Sequence, residues 1–104
     1  MKITKIKEIA EHLGWEVDEH NDGTVEFRDY SPAGEDISFT VNAKEAAEEI
    51  YKCYDNFDVD EHIAMWIEAR ENGVSGVPST RRLVEDAEDI SEMLKELAGA
   101  VISA

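Results

Sequence analysis

The sequence predicts an α+β domain with an N-terminal helix, a three-stranded antiparallel meander and three C-terminal helices packed on one face of the sheet. Three observations predict it. Apolar residues recur at helical spacing before residue 14 and again after residue 41, they alternate with polar residues between Trp15 and Val41, and turn-forming residues stand where the alternation breaks. With 104 residues, 42% hydrophobic content and no linker long enough to divide it, the chain reads as one domain over 1–104. A chain of this size buries about two-thirds of the surface it would expose unfolded.

The first helix carries Ile6, Ile9, Ala10 and Leu13 at i, i+3, i+4 and i+7, with Thr4 placed to cap its start and Gly14 its end. The period then falls to two. Trp15, Val17, Val25, Phe27, Ile37, Phe39 and Val41 share one face, while Glu16, Asp18, Glu26, Arg28, Ser38 and Thr40 share the other. Asn21-Asp22-Gly23 joins the first two strands, because these residues tolerate the positive φ of tight hairpins, and Ser31-Pro32-Ala33-Gly34 makes the second turn.

Beyond Val41 the helical period returns. Asn42 followed by Glu45 resembles a capping box, and Ala43, Ala46, Ala47, Ile50, Tyr51 and Tyr54 form a stripe opposite Glu45, Glu48, Glu49 and Lys52. This helix ends near Asn56. A third starts at Asp58 or Asp60, carries Ile63, Trp66 and Ile67, and stops at Asn72-Gly73. After the 74–78 linker, Ser79 caps a last helix in which Leu83, Ala87, Ile90, Leu94, Leu97 and Val101 recur at intervals of 4, 3, 4, 3 and 4. The expected core is Trp15, Phe27, Phe39, Ile50, Trp66, Ile67, Ile90 and Leu94. The first half of the seam is expected to pack at home, leaving Leu97, Val101 and Ile102 free for a homodimer through the C-terminal helix.

Charge says most about partners. Twenty-five acidic residues face ten basic ones, a formal net charge of −15, and every segment beyond the first helix is net negative. Such a field repels nucleic acid and attracts basic protein surfaces. No apolar run approaches the about 20 residues of a membrane span, and the N-terminus lacks the pattern of a signal peptide, so a cytoplasmic location without membrane contact is expected. The lone Cys53 has no internal disulfide partner, and no Cys/His pair stands at zinc spacing.

Four constellations invite chemistry. Residues 18–29 echo a calcium loop, with Asp18, Asp22, Gly23, Val25 and Asp29 in register, but His20 replaces an oxygen ligand and both flanks read as strands. Asp58, Asp60, Glu61 and His62 are a second cluster, offering carboxylates to a hard cation or a base beside an imidazole; acids at a helix start also serve as caps favoured by the dipole. Cys53 with His62 lacks an orienting third group, and the thiol reads as buried beside Tyr51 and Tyr54. Gly73, Gly76 and Pro78 before Arg81-Arg82 suggest a small anion site at a helix start, although the spacing matches no phosphate loop. Trp66 between Met65 and Ile67 reads as core. No catalytic residue, cofactor or metal is assigned.

The positive argument for function is rows of carboxylates. Strand residues two apart are separated by about 6.6 Å, and helix neighbours at i, i+3 and i+4 by about 5–6 Å at Cβ, so acids on these elements are spaced to imitate a nucleic-acid backbone. The candidate contacts are Glu16, Asp18 and Glu26 on the sheet, Asp58, Asp60 and Glu61 at the third helix, and Glu85, Asp86, Glu88, Asp89 and Glu92 on the outer faces of the last, where Glu96 extends the row.

Tyr30-Ser31-Pro32-Ala33-Gly34-Glu35-Asp36, Asp60-Glu61-His62 through Trp66-Ile67-Glu68-Ala69, and Gly73-Val74-Ser75-Gly76-Val77-Pro78-Ser79 resemble a group of small acidic proteins from bacterial mobile elements and prophages, over roughly residues 25–95. The resemblance implies a setting in which acidic proteins blunt restriction or CRISPR enzymes; it implies no catalytic or binding residue. The reading is therefore an acidic protein-binding module, a nucleic-acid mimic that inhibits a DNA- or RNA-processing enzyme by occupying its basic surface, without binding nucleic acid itself. The alternatives are an interaction protein of a mobile element without mimicry, and a metal-binding protein using the 18–29 or 58–62 clusters.

Overall fold

The computed structural model describes residues 2–104 and follows the expected element order: α1 (Ile3–His12), β1 (Glu16–Glu19), β2 (Thr24–Tyr30), β3 (Asp36–Asn42), a 3-10 turn (Ala43–Glu45), α2 (Ala46–Asn56), α3 (Val59–Glu71) and α4 (Thr80–Ser103). The sheet is antiparallel in the order β1-β2-β3. Its register puts Val17 opposite Phe27 and Phe27 opposite Phe39, so the alternating apolar residues line one face. Phe27 and Phe39 stack at 5.3 Å, and Trp15 meets Phe39 edge-on at 5.7 Å. Phe27 is fully buried; Phe39 packs against the core from a half-buried position on the edge strand.

Both hairpins use one turn design. His20 N–H bonds Thr24 O, and Gly23 N–H bonds His20 O; Ser31 N–H bonds Glu35 O, and Gly34 N–H bonds Ser31 O. Only the glycine is left-handed in each, at φ 86° and 91°, the pattern of a three-residue loop closed by a glycine bulge. Of Asn21, Asp22 and Gly23, which all tolerate positive φ, only the glycine uses it. Among the described residues only glycines adopt it.

Two local details differ from expectation. Helix α1 begins at Ile3 with Lys2 in the cap position, so Thr4 lies inside the helix and caps nothing. Asn42 does cap, accepting from Lys44 N–H at 2.9 Å, but Glu49, not Glu45, returns the bond to Asn42 N–H. The intervening 3-10 turn displaces the reciprocal acid by one helical turn. Asp58 and Ser79 cap α3 and α4 as expected, accepting from Glu61 and Arg82 N–H.

Helix α1 approaches β1, α2 approaches β3, and α4 lies along α1, α2 and α3. Ile6, Ile50, Ile90, Leu97 and Val101 are fully buried in one core with Val25 and Phe27. Each such side chain stabilises the fold by about 1.5–3 kcal/mol. Helix α3 is the exception. It docks on α4 and buries no residue completely, so Trp66 and Ile67, expected in the core, are half-buried in an outer layer. The seam of α4 departs too. Leu97 and Val101, expected to be free, are 0% and 1% exposed, and only Ile102 faces outward. The sheet, α1 and α2 together offer more apolar surface than the first half of α4 covers, so the monomer takes the whole seam.

At about 1.5 Å per residue α4 is about 36 Å long, and it draws the molecule out to 44 × 27 × 21 Å. The radius of gyration, 14.8 Å, exceeds the about 13 Å of a compact domain of this length.

Candidate functional site

The fold divides the eleven candidate acids into two groups. Glu16, Asp18 and Glu26 stand on the polar face of the sheet, opposite the face that the helices cover. There Arg28 donates to Glu16 Oε2 at 3.1 Å and to Asp18 Oδ2 at 3.2 Å. The bond to Glu16, reinforced by its charge, raises the Arg28 pKa further above its ordinary value. Glu26 lies 3.9 Å from His20. This face is acidic, with two of its three candidate acids paired to Arg28.

The second group lies on the helical side. Val59, at the start of α3 between Asp58 and Asp60, lines a concavity with Glu88, Asp89 and Glu92 of α4. Asp58, Asp60, Glu61, Glu88, Asp89 and Glu92 have no ion pair among the described residues. Glu85 is held by Arg81 at 3.2 Å, one turn earlier. Asp86 does not belong to this face. Expected on the outside of α4, it is 8% exposed, and its Oδ1 is shielded from solvent without a hydrogen-bond partner. Position 86 is three residues after Leu83 and four before Ile90, which puts it on the buried side of the seam.

Asp86 lines a cleft of about 310 Å³ between the β2–β3 turn, α3, the 74–78 linker and α4. Its other walls include Glu35, Asp36, Trp66, Pro78 and Leu83. The 31–35 turn, locked by Ser31 Oγ accepting from Glu35 N–H at 3.0 Å, aims Glu35 at α3. There Glu35 Oε1 accepts from Trp66 Nε1 at 2.9 Å, and Oε2 lies 3.1 Å from His62 Nε2. One carboxylate thus bridges two side chains a helical turn apart and fixes the indole in the wall. The far end is fixed by Arg70, which donates to Pro78 O at 3.3 Å and Thr80 Oγ1 at 2.9 Å. Sequence reasoning missed this hub. The i, i+4 spacing of His62 and Trp66 was its one visible signal; Glu35, about 30 residues away, had none.

The remaining constellations take their plainer roles. Asp22 accepts from Thr24 Oγ1 at 2.6 Å and from Thr24 N–H at 3.0 Å, which holds its carboxyl below the usual range. Among the described residues no three His, Cys, Asp or Glu side chains are grouped to hold a metal ion. Arg81 pairs with Glu85, while Arg82 lines a concavity of about 190 Å³ with Asp86 and Asp89. Asp58, Glu61 and His62 share a depression of about 310 Å³ with Phe57 and Met65; Cys53 is not in it. Burial pushes the Cys53 thiol up, away from the thiolate that nucleophilic chemistry needs. No helix among the described residues is long and apolar enough to cross a membrane.

No family model, curated protein or solved structure matches the chain.

Proposed function

We propose that the chain is an acidic binding module whose α3–α4 face occupies the basic surface of a nucleic-acid-processing protein, such as a restriction or CRISPR nuclease. The observation that carries this is the row of unpaired carboxylates beside the α3–α4 concavity. Glu88, Asp89, Glu92 and Glu96 span nine residues of α4, about 12 Å at 1.5 Å per residue. That is one carboxylate about every 4 Å of axis, close to the about 3.4 Å per charge along one nucleic-acid strand. A rigid helix presents these charges already ordered, so a cleft lined with Lys and Arg meets them without first folding the ligand. The sheet face contributes less, because Arg28 pairs with two of its three candidate acids and cancels one of their charges.

The test is capture of proteins from a bacterial lysate on the immobilised chain, followed by elution with duplex DNA or with salt. A mimic releases its partner to either, and the variant E88Q/D89N/E92Q fails to capture it. A partner that DNA does not displace, or that the triple variant retains equally, overturns the reading.

A further inference from the structure

We propose that the cleft between the β2–β3 turn and helices α3 and α4 receives one arginine side chain of the protein partner, which anchors the contact that the acidic face steers. This rests on the protein-binding reading and adds to it a specific pocket. The starting point is Asp86. A carboxylate 8% exposed, with Oδ1 shielded and unpartnered, is an arrangement that folded proteins avoid unless a cation or donor completes it. Asp86 borders two adjoining concavities, so a group entering from outside reaches it. The carboxylate's broad, two-fold χ2 lets either oxygen turn to a donor.

The rest of the wall selects the cation. Glu35 and Asp36 add negative charge, and no Lys or Arg among the described residues lines this cleft. Trp66 is half-buried and held by Glu35, and an indole fixed beside carboxylates attracts a cation through its π surface. Absence of a three-ligand metal grouping among the described residues points away from an inorganic ion. At about 310 Å³ the cleft stands at the low end of small-molecule pockets, which suits one side chain. Guanidinium fits better than ammonium, because its planar fork meets a carboxylate with two donors while its face stacks on an aromatic ring. The internal competitor is Arg82, one turn before Asp86 in the neighbouring concavity. Among the described residues no ion pair joins it to Asp86, whose Oδ1 stays without a partner.

The experiment follows the two indole N–H signals by NMR, Trp15 being buried and Trp66 standing in the cleft. The chain is titrated at constant ionic strength with N-acetyl-arginine amide, N-acetyl-lysine amide and the neutral isostere N-acetyl-citrulline amide. The arginine amide is expected to move the Trp66 signal saturably at millimolar concentration and leave Trp15 in place; the lysine amide binds at least about threefold more weakly, and citrulline produces no saturable shift. Asp86→Leu lowers the arginine affinity at least about tenfold while amide dispersion shows the fold retained, and Asp86→Asn gives the same reading should the leucine not be accommodated. Arg82→Ala leaves the affinity unchanged or tightens it. Citrulline binding as well as arginine, equal binding by both Asp86 variants, loss of binding in Arg82→Ala, or no saturable shift overturns the proposal. These amides probe the cleft without a partner protein. Their failure leaves the capture result with E88Q/D89N/E92Q standing, so the two readings fail separately.

Discussion

Replacing Glu35 by alanine removes the acceptor that joins the β2–β3 turn to α3. Trp66 Nε1, now 2.9 Å from Oε1, and His62 Nε2, 3.1 Å from Oε2, both lose their partner. A hydrogen bond to a charged group contributes about 1.5–3 kcal/mol, and the side chains of Glu35 and His62 are 21% and 18% exposed, so water replaces part of what is lost. The expected loss is about 2–4 kcal/mol, or a Tm drop of about 10–20 °C for a domain of this size. Urea unfolding of the wild type, Glu35→Ala, Trp66→Phe and the double variant closes a cycle around the Glu35–Trp66 bond alone. The coupling energy is expected at about 1–2 kcal/mol. A value below about 0.3 kcal/mol, the scatter of additive sites, refutes the claim that this bond holds α3 to the sheet.

Phe27→Ala, which empties a fully buried position stacked on Phe39, should cost about 3–5 kcal/mol, and circular dichroism melts check it. Adding salt should raise Tm, because a net charge of −15 strains the fold by self-repulsion that ions screen; calorimetry between low and high sodium chloride reads the sign. Cys53 should alkylate slowly, with a rate–pH midpoint above that of a free thiol, since burial favours its neutral form. By the same linkage its contribution to stability is complete below the ordinary thiol pKa and fades as pH rises through the folded-state value.

The fold was legible where one local rule governed each stretch. Alternation from Trp15 to Val41 fixed which sheet face is buried, because a one-residue slip would turn Phe27 and Phe39 to solvent. Asp58, Ser79 and Gly73 marked helix ends through local hydrogen bonding and φ. What period alone did not supply is which layer a helix joins. Ile63, Trp66 and Ile67 have the spacing of a core face, yet α3 meets only α4 closely, and its anchor is the polar bond from Trp66 to Glu35. The acidic character of the surface was visible in composition, but its division was not. Arg28 reaches Glu16 and Asp18 only through strand pairing, and Asp86 turns inward on a helix whose neighbouring acids turn outward. The cleft joins residues from four parts of the chain, a juxtaposition that only the tertiary fold creates.

The most direct test of the central claim is the affinity of a captured partner for the chain and for E88Q/D89N/E92Q, measured across a range of salt. Binding through the α3–α4 carboxylates predicts that the wild-type affinity falls steeply as salt rises, and that the triple variant binds more weakly with a shallower salt dependence. Equal affinities, or a wild-type affinity indifferent to salt, would contradict it.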